Sequence, residues 1–106
     1  MNQSKPEIVI MACQTSKEIL KEILAGIEEE QLFYKVIWME RQMDVQQLAT
    51  EAAKQSSLDV GIGVFQRNVV VTCRQLEGKQ PLLKGDNGYR RLGINAARYI
   101  KKNPFV

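Results

Sequence analysis

The apolar positions of this chain alternate between two periods. Glu7 to Cys13 is a nearly continuous apolar, β-branched run, the pattern of a strand covered on both faces. Ile19, Leu20, Ile23, Leu24 and Ile27 then recur at three- and four-residue spacing, which is one stripe of an amphipathic helix. Thr15 with Glu18 three positions on predicts a capping box with Thr15 as N-cap, and Glu28-Glu29-Glu30 mark the helix end. Leu32 to Met39 is aromatic and β-branched and predicts a second strand. Asp44 and Gln47 form a second capping signal. Val45, Leu48, Ala49, Ala52 and Ala53 follow as a helix face that runs out at Gln55-Ser56-Ser57. Leu58 to Phe65 predicts a third strand and Val69 to Thr72 a fourth. The break Gln66-Arg67-Asn68 is too short for a parallel crossover, so the fourth strand should run antiparallel to the third. Glu77 to Gln80 reads as a turn and Pro81 to Lys84 as a short edge strand. Asp86-Asn87-Gly88 opens a last helix whose inner face is Tyr89, Leu92, Ala96, Ala97 and Ile100, and Asn103-Pro104 stops it.

The order is β-α-β-α-β-β-(β)-α. Strands alternating with helices at these lengths predict an α/β fold in three layers, α/β/α, with a mixed, mostly parallel sheet of four to five strands, one of them antiparallel. At 106 residues the chain should form one domain, residues 1–106, burying roughly 60–70% of its unfolded surface. The longest apolar run, Ile8 to Cys13, is far below the ~20 residues of a membrane span. It is also followed by Gln14-Thr15-Ser16-Lys17, which is no signal-peptide pattern. A cytoplasmic, non-membrane protein is expected, with Cys13 and Cys73 as reduced thiols.

Composition narrows the chemistry. There is no histidine, which removes His-dependent triads, Cys-His pairs and imidazole acid–base catalysis together. Two cysteines sixty residues apart make neither a zinc knuckle nor a CxxC pair. No nucleophile–base pair can be assembled, so an autonomous enzyme is not expected. Gly61-Ile62-Gly63 lacks the third glycine and the helix of a dinucleotide fingerprint, and reads as room for a helix or a partner packed on the strand. The net charge of +3 is mild, and nucleic acid is not an expected partner.

Three features stand out against that ordinary background. Residues 17–30 carry two lysines against five glutamates, and Glu28, Glu29 and Glu30 sit where the helix dipole disfavours anions. Either the helix has a solvated acidic end, or a carboxylate is presented outward to a basic partner or a metal. Any metal would need ligands from a second chain. The last helix has the opposite sign, with Arg90, Arg91, Arg98, Lys101 and Lys102 against Asp86. It reads as a solvated face or as a surface for an acidic partner. Gly93 and Asn95 lie in its interior, where both cost helix propensity. Gly93 predicts close approach of another backbone, Asn95 a polar contact to a neighbouring loop, and the two together a tightly packed interface. Phe33, Tyr34 and Trp38 read as core or edge aromatics.

Leu24-Ala25-Gly26-Ile27-Glu28-Glu29-Glu30, Asp59-Val60-Gly61-Ile62-Gly63-Val64 and Arg91-Leu92-Gly93-Ile94-Asn95-Ala96-Ala97-Arg98-Tyr99-Ile100-Lys101, ending in Asn103-Pro104-Phe105, are similar in order and separation to the small subunit of the diol/glycerol dehydratase reactivating factor. The resemblance runs from about Glu7 to Phe105. It implies a three-layer α/β/α domain shared with the dehydratase medium subunit, with one of five strands antiparallel. It also implies a non-catalytic subunit of a chaperone-like factor. The partner would be a large, actin-like subunit that hydrolyses ATP. The small subunit would exchange transiently with the medium subunit on the dehydratase large subunit, so that damaged cobalamin leaves. In the family the second glutamate of the GIEEE segment reaches a Mg²⁺ held mainly by the large subunit, and that position is Glu29 here. Glu28, Glu29, Glu30, Gly93, Asn95 and Arg98 become the expected partner-binding residues, with no cofactor beyond that interfacial Mg²⁺. The place of action implied is the cytoplasm or a bacterial microcompartment within it. The sequence departs from the family where Gln31-Leu32-Phe33-Tyr34 replaces the common Gly-Ile-Pro-Phe, and in having no histidines. The alternatives are a short relative of the dehydratase medium subunit, whose usual N-terminal extension has no room here, and a stand-alone protein- or RNA-binding module, since the fold resembles anticodon-binding domains.

Overall fold

The structure, a computed structural model, describes residues 5–106. Strands β1 (Glu7–Cys13), β2 (Phe33–Trp38), β3 (Val60–Phe65), β4 (Asn68–Cys73) and β5 (Leu83–Gly85) form one sheet in the order β2-β1-β3-β4-β5. β1 pairs in parallel with both β2 and β3, and β4 is antiparallel to β3 and β5. One strand of five therefore runs against the others, as expected. Helices α1 (Lys17–Glu29) and α3 (Tyr89–Lys101) cover one face, and α2 (Val45–Gln55) covers the other. The placement follows from handedness. The β1-α1-β2 and β2-α2-β3 crossovers step in opposite directions along the sheet, so two right-handed connections put their helices on opposite faces.

The alternation of β1 divides the core. Ile8, Ile10 and Ala12 face α1 and α3, whereas Val9, Met11 and Cys13 face α2. All six are nearly or fully buried, which accounts for the continuous apolar run. On the α2 side the helix rests directly on β3. A Cβ at Gly61 would overlap the Ala53 backbone, and one at Gly63 would reach the Ala49 nitrogen at 2.5 Å. The two glycines are the room that a helix needs, and the facing alanines of α2 complete the close approach.

Several boundaries differ from the sequence reading. Ser16, not Thr15, caps α1. Its hydroxyl accepts from the Ile19 amide at 3.2 Å, while Thr15 Oγ1 donates across to the Gln66 carbonyl at 2.7 Å. The chain turns at Gln14 (φ 50°), which places Ser16 in the extended conformation that a cap requires. β3 begins at Val60 because Asp59 is left-handed (φ 64°). The last strand sits slightly later than Pro81–Lys84, at Leu83–Gly85, after a short 3-10 turn over Arg74–Leu76. Asp44 caps α2 as expected, accepting from the Gln46 amide at 3.1 Å. Phe33 and Trp38 are edge residues about half exposed, and not core, because β2 is the outermost strand.

Candidate functional site at the acidic end of the first helix

α1 and α3 lie side by side with their backbones in contact. A Cβ on Gly93 would collide with the Ile23 carbonyl, and one on Gly26 with the Arg90 carbonyl and the Ile94 amide. Two glycines, one from each helix, thus allow the approach from both sides. This confirms the expected close approach at Gly93 and adds Gly26, whose part the sequence did not show. Gly93 and Asn95 are buried within the chain. Asn95 holds the residues after α3. Its side chain donates to the Val106 carbonyl at 3.2 Å and accepts from the Val106 amide at 2.9 Å. Arg98 donates to the Pro104 carbonyl at 3.1 Å.

This contact sets the three glutamates. α1 has no basic residue in its last turn, yet its C-terminal negative pole is not left bare. Lys101 Nζ donates to the Glu30 carbonyl at 3.0 Å and lies 2.8 Å from the Glu30 carboxylate. Arg98 Nε reaches the same carboxylate at 3.3 Å. The Lys101 hydrogen bond foremost, with support from the Arg98 and Lys101 charges against the effect of burial, holds Glu30 below the usual carboxylate range. Arg90 clasps Glu22 through two nitrogens, at 3.1 and 3.2 Å, and stands 3.5 Å from Glu29. Glu28 points to the other side, where it accepts from the Tyr34 hydroxyl at 2.9 Å and raises the pKa of that phenol.

The expected residues are therefore gathered, but in different roles. Glu30 and Arg98 form an internal ion pair, with only 13% of the Glu30 side chain exposed. Glu29 is 49% exposed and has only the longer contact to Arg90. It is the freest carboxylate of the pairs on the α1–α3 seam. Arg90, Lys101 and Tyr34, which complete the arrangement, were not among the expected site residues. A signal existed in the opposite charges of the two helices, which complement each other once the helices are adjacent. Of the five cations in and just after α3, Arg90, Arg98 and Lys101 are engaged with α1 and its C-cap Glu30, while Arg91 and Lys102 stay exposed.

The fit to Mg²⁺ is partial. Such an ion takes one or two protein carboxylates and fills its other positions with water or other oxygens. Glu29 can offer one carboxylate from a rigid helix end. Among the described residues no group of three or more His, Cys, Asp or Glu side chains is placed to hold an ion. Cys13 and Cys73 are free and buried. Among the described residues no helix is long and apolar enough to cross a membrane.

Comparison with known proteins matches this architecture over nearly its whole length. The family model of the dehydratase medium subunit matches residues 5–106. The propanediol dehydratase-reactivating factor small subunit of Citrobacter freundii is 39% identical, over 98% of this chain and 93% of that one. The corresponding small subunit of Salmonella typhimurium is 33% identical over the same shares. Among solved structures, a glycerol dehydratase reactivase superposes with a TM-score of 0.87 at 28% identity, covering 95% of this chain and 96% of that one. A diol dehydratase-reactivating factor complexed with ADP and Mg²⁺ superposes with a TM-score of 0.85 at 31% identity, covering 97% and 99%. The chain belongs to the dehydratase medium-subunit family, among the small subunits of dehydratase-reactivating factors.

Proposed function

We propose that residues 1–106 act as one non-catalytic domain that docks on a large, ATP-hydrolysing subunit, and that the assembled factor frees inactivated diol or glycerol dehydratase of damaged cobalamin. Membership in the family of the dehydratase medium subunit supports a mechanism by exchange, because a chain with that subunit's fold can compete for its seat on the dehydratase large subunit. This reading puts the site of action in the cytoplasm or a microcompartment within it, beside the dehydratase.

The observation that carries the docking surface is the half-exposed Glu29 at a helix end fixed by the α1–α3 backbone contact. Glu28 and Glu29 would face the large subunit. Glu30, Arg98, Gly93 and Asn95 act behind them by holding the helix end in place. A Mg²⁺ at that interface would supply positive charge for oxygen ligands. Glu29 would contribute one oxygen ligand, and Arg90 would have to yield its 3.5 Å contact. A relative of this fold is known in complex with ADP and Mg²⁺, which supports testing the ion at this surface.

The test is titration of this chain against the large subunit of the same factor, with Mg²⁺ and ADP and then with EDTA. Binding should weaken about tenfold or more in Glu29→Gln and should lose its dependence on EDTA. Unchanged affinity with unchanged EDTA sensitivity would remove Glu29 from the metal. Failure to bind under every condition would remove the docking proposal itself.

A further inference from the structure

The opposite side of α1 carries a surface that shares only Glu28 with the docking proposal. β2 is the last strand of the sheet, and its outer edge has no strand partner among the described residues. The Met39 amide donates to the Ala12 carbonyl at 2.8 Å. Backbone direction alternates along a strand, so Tyr34, Val36 and Trp38 turn their N–H and C=O groups away from β1. The same three side chains stand on the α1 face of the sheet. With Leu20 and Leu24 of α1 they line an open groove of about 510 Å³ that runs along the strand edge. Trp38 is 51% exposed at one end of β2 and Phe33 is 50% exposed at the other.

The charge of this edge is one-sided. Lys17 and Lys21 stand on the rim of the groove, Lys35 projects from β2, and Lys5 lies 4.7 Å over the Phe33 ring. Among the described residues none of these four lysines is in ion-pair reach of a carboxylate. The cations of α3 contrast with them, since Arg90, Arg98 and Lys101 are engaged by α1 and its C-cap Glu30. The one acidic side chain lining the groove, Glu28, is occupied by the Tyr34 hydroxyl.

We propose that the outer edge of β2 accepts an extended acidic segment of a protein partner as a sixth strand. The segment would pair its backbone with Tyr34, Val36 and Trp38. One of its apolar side chains would enter the groove against Leu20, Leu24 and Trp38, carboxylates on that same face would meet Lys17 and Lys21, and one on its other face would meet Lys35. Backbone hydrogen bonds to a free edge provide the affinity in this mode, and pockets for alternate side chains select the sequence. A second copy of this chain is the wrong occupant, because pairing β2 with itself would bring like-charged lysines together. Lysines on an edge also serve simply to prevent pairing. Half-exposed Phe33 and Trp38, at the two ends of that edge, favour an edge that is used.

Trp38 is the sole tryptophan, so its fluorescence reports on this edge alone. The probes are synthetic peptides of about six to eight residues, the length of a strand, with Val, Leu or Phe at one groove-facing position and Glu or Asp around it on both faces. Matched peptides carry Lys in place of the acidic residues. The acidic peptides should shift Trp38 emission and should slow hydrogen exchange at the Tyr34, Val36 and Trp38 amides on the intact chain. Lys21→Glu with Lys35→Glu should weaken binding about tenfold or more, and so should N-methylation of alternate peptide amides. Four outcomes would each overturn the proposal. They are no acidic peptide moving Trp38 emission, Lys peptides binding as tightly, binding without protection of the three amides, and Trp38 emission that changes with protein concentration alone as a dimer forms. The last would mean that the edge closes on a second copy, and the first that its lysines only guard it.

Discussion

The two sides of α1 solve opposite problems. Toward α3 the helix is sealed. Backbones touch through Gly26 and Gly93, and Glu22, Glu29 and Glu30 meet Arg90, Arg98 and Lys101. Toward β2 it is open, with an apolar groove, half-exposed aromatics at a strand edge and lysines that no carboxylate answers among the described residues. Most oddities of the two helices fall on the sealed side, Glu28 excepted. An acidic helix C-terminus, a glycine inside a helix and a basic last helix each look costly alone and cancel when the two helices meet, while Asn95 is answered by the Val106 backbone. The open side looked ordinary in the sequence and keeps the unmatched groups. A locally unfavourable residue is thus a pointer to an internal contact at least as often as to a ligand.

The largest test of that contrast is Gly93→Ala. On an exposed helix this change should stabilise by about 1 kcal/mol through propensity. Here the new methyl group would meet the Ile23 carbonyl, which is backbone and cannot swing aside. We expect a loss of about 3 kcal/mol, the upper part of the usual range for overpacking, and a fall in Tm of roughly 10–20 °C. Urea unfolding decides it by sign. A stabilised variant would mean that the helices are not in backbone contact and that the sealed side is not sealed.

How much of this was legible depends on whether the cause lies within a few residues. The strand at Glu7–Cys13 and the α2 stripe were plain, because burial on both faces or on one face leaves a period in the sequence. The antiparallel β4 followed from the shortness of the turn before it. The cap of α1 was misplaced by one residue, since Thr15 and Ser16 are both capping types and only the left-handed Gln14 decides between them. At the site, the sequence exposed Glu28 to Glu30 and Gly93 as exceptions but not what resolves them. Arg90 and Lys101 lie some seventy positions from their carboxylates, and no local rule joins them. The β2 edge was the least legible part. Strand order is a property of the whole sheet, and nothing in Phe33–Trp38 says which strand stands last.

A subtler test of the sealed side uses pH. Glu30 has its pKa lowered in the folded state, chiefly by the Lys101 hydrogen bond. A depressed carboxylate stabilises the fold above its unfolded pKa, and that contribution disappears as pH falls through the folded value. The stability advantage of the native chain over Glu30→Gln should therefore be full at neutral pH. It should shrink below the ordinary glutamate range and vanish under the depressed folded value. Parallel urea titrations from neutral to acid pH check this. A gap that stays constant with pH would mean that Glu30 matters by its shape and not by its charge.

The smallest expected effect belongs to the open side. Lys35→Glu reverses a charge that has no ion-pair partner among the described residues, at an exposed position of β2, so stability should change by less than about 0.5 kcal/mol. Near-neutrality is the informative result. A residue that the fold does not need, beside an unpaired edge and an exposed tryptophan, is free to serve a partner, and the same variant must then lose the acidic strand. A loss of stability above about 1 kcal/mol would place Lys35 in the internal economy of the chain, as Arg98 is. The two sides of α1 would then differ in degree and not in kind.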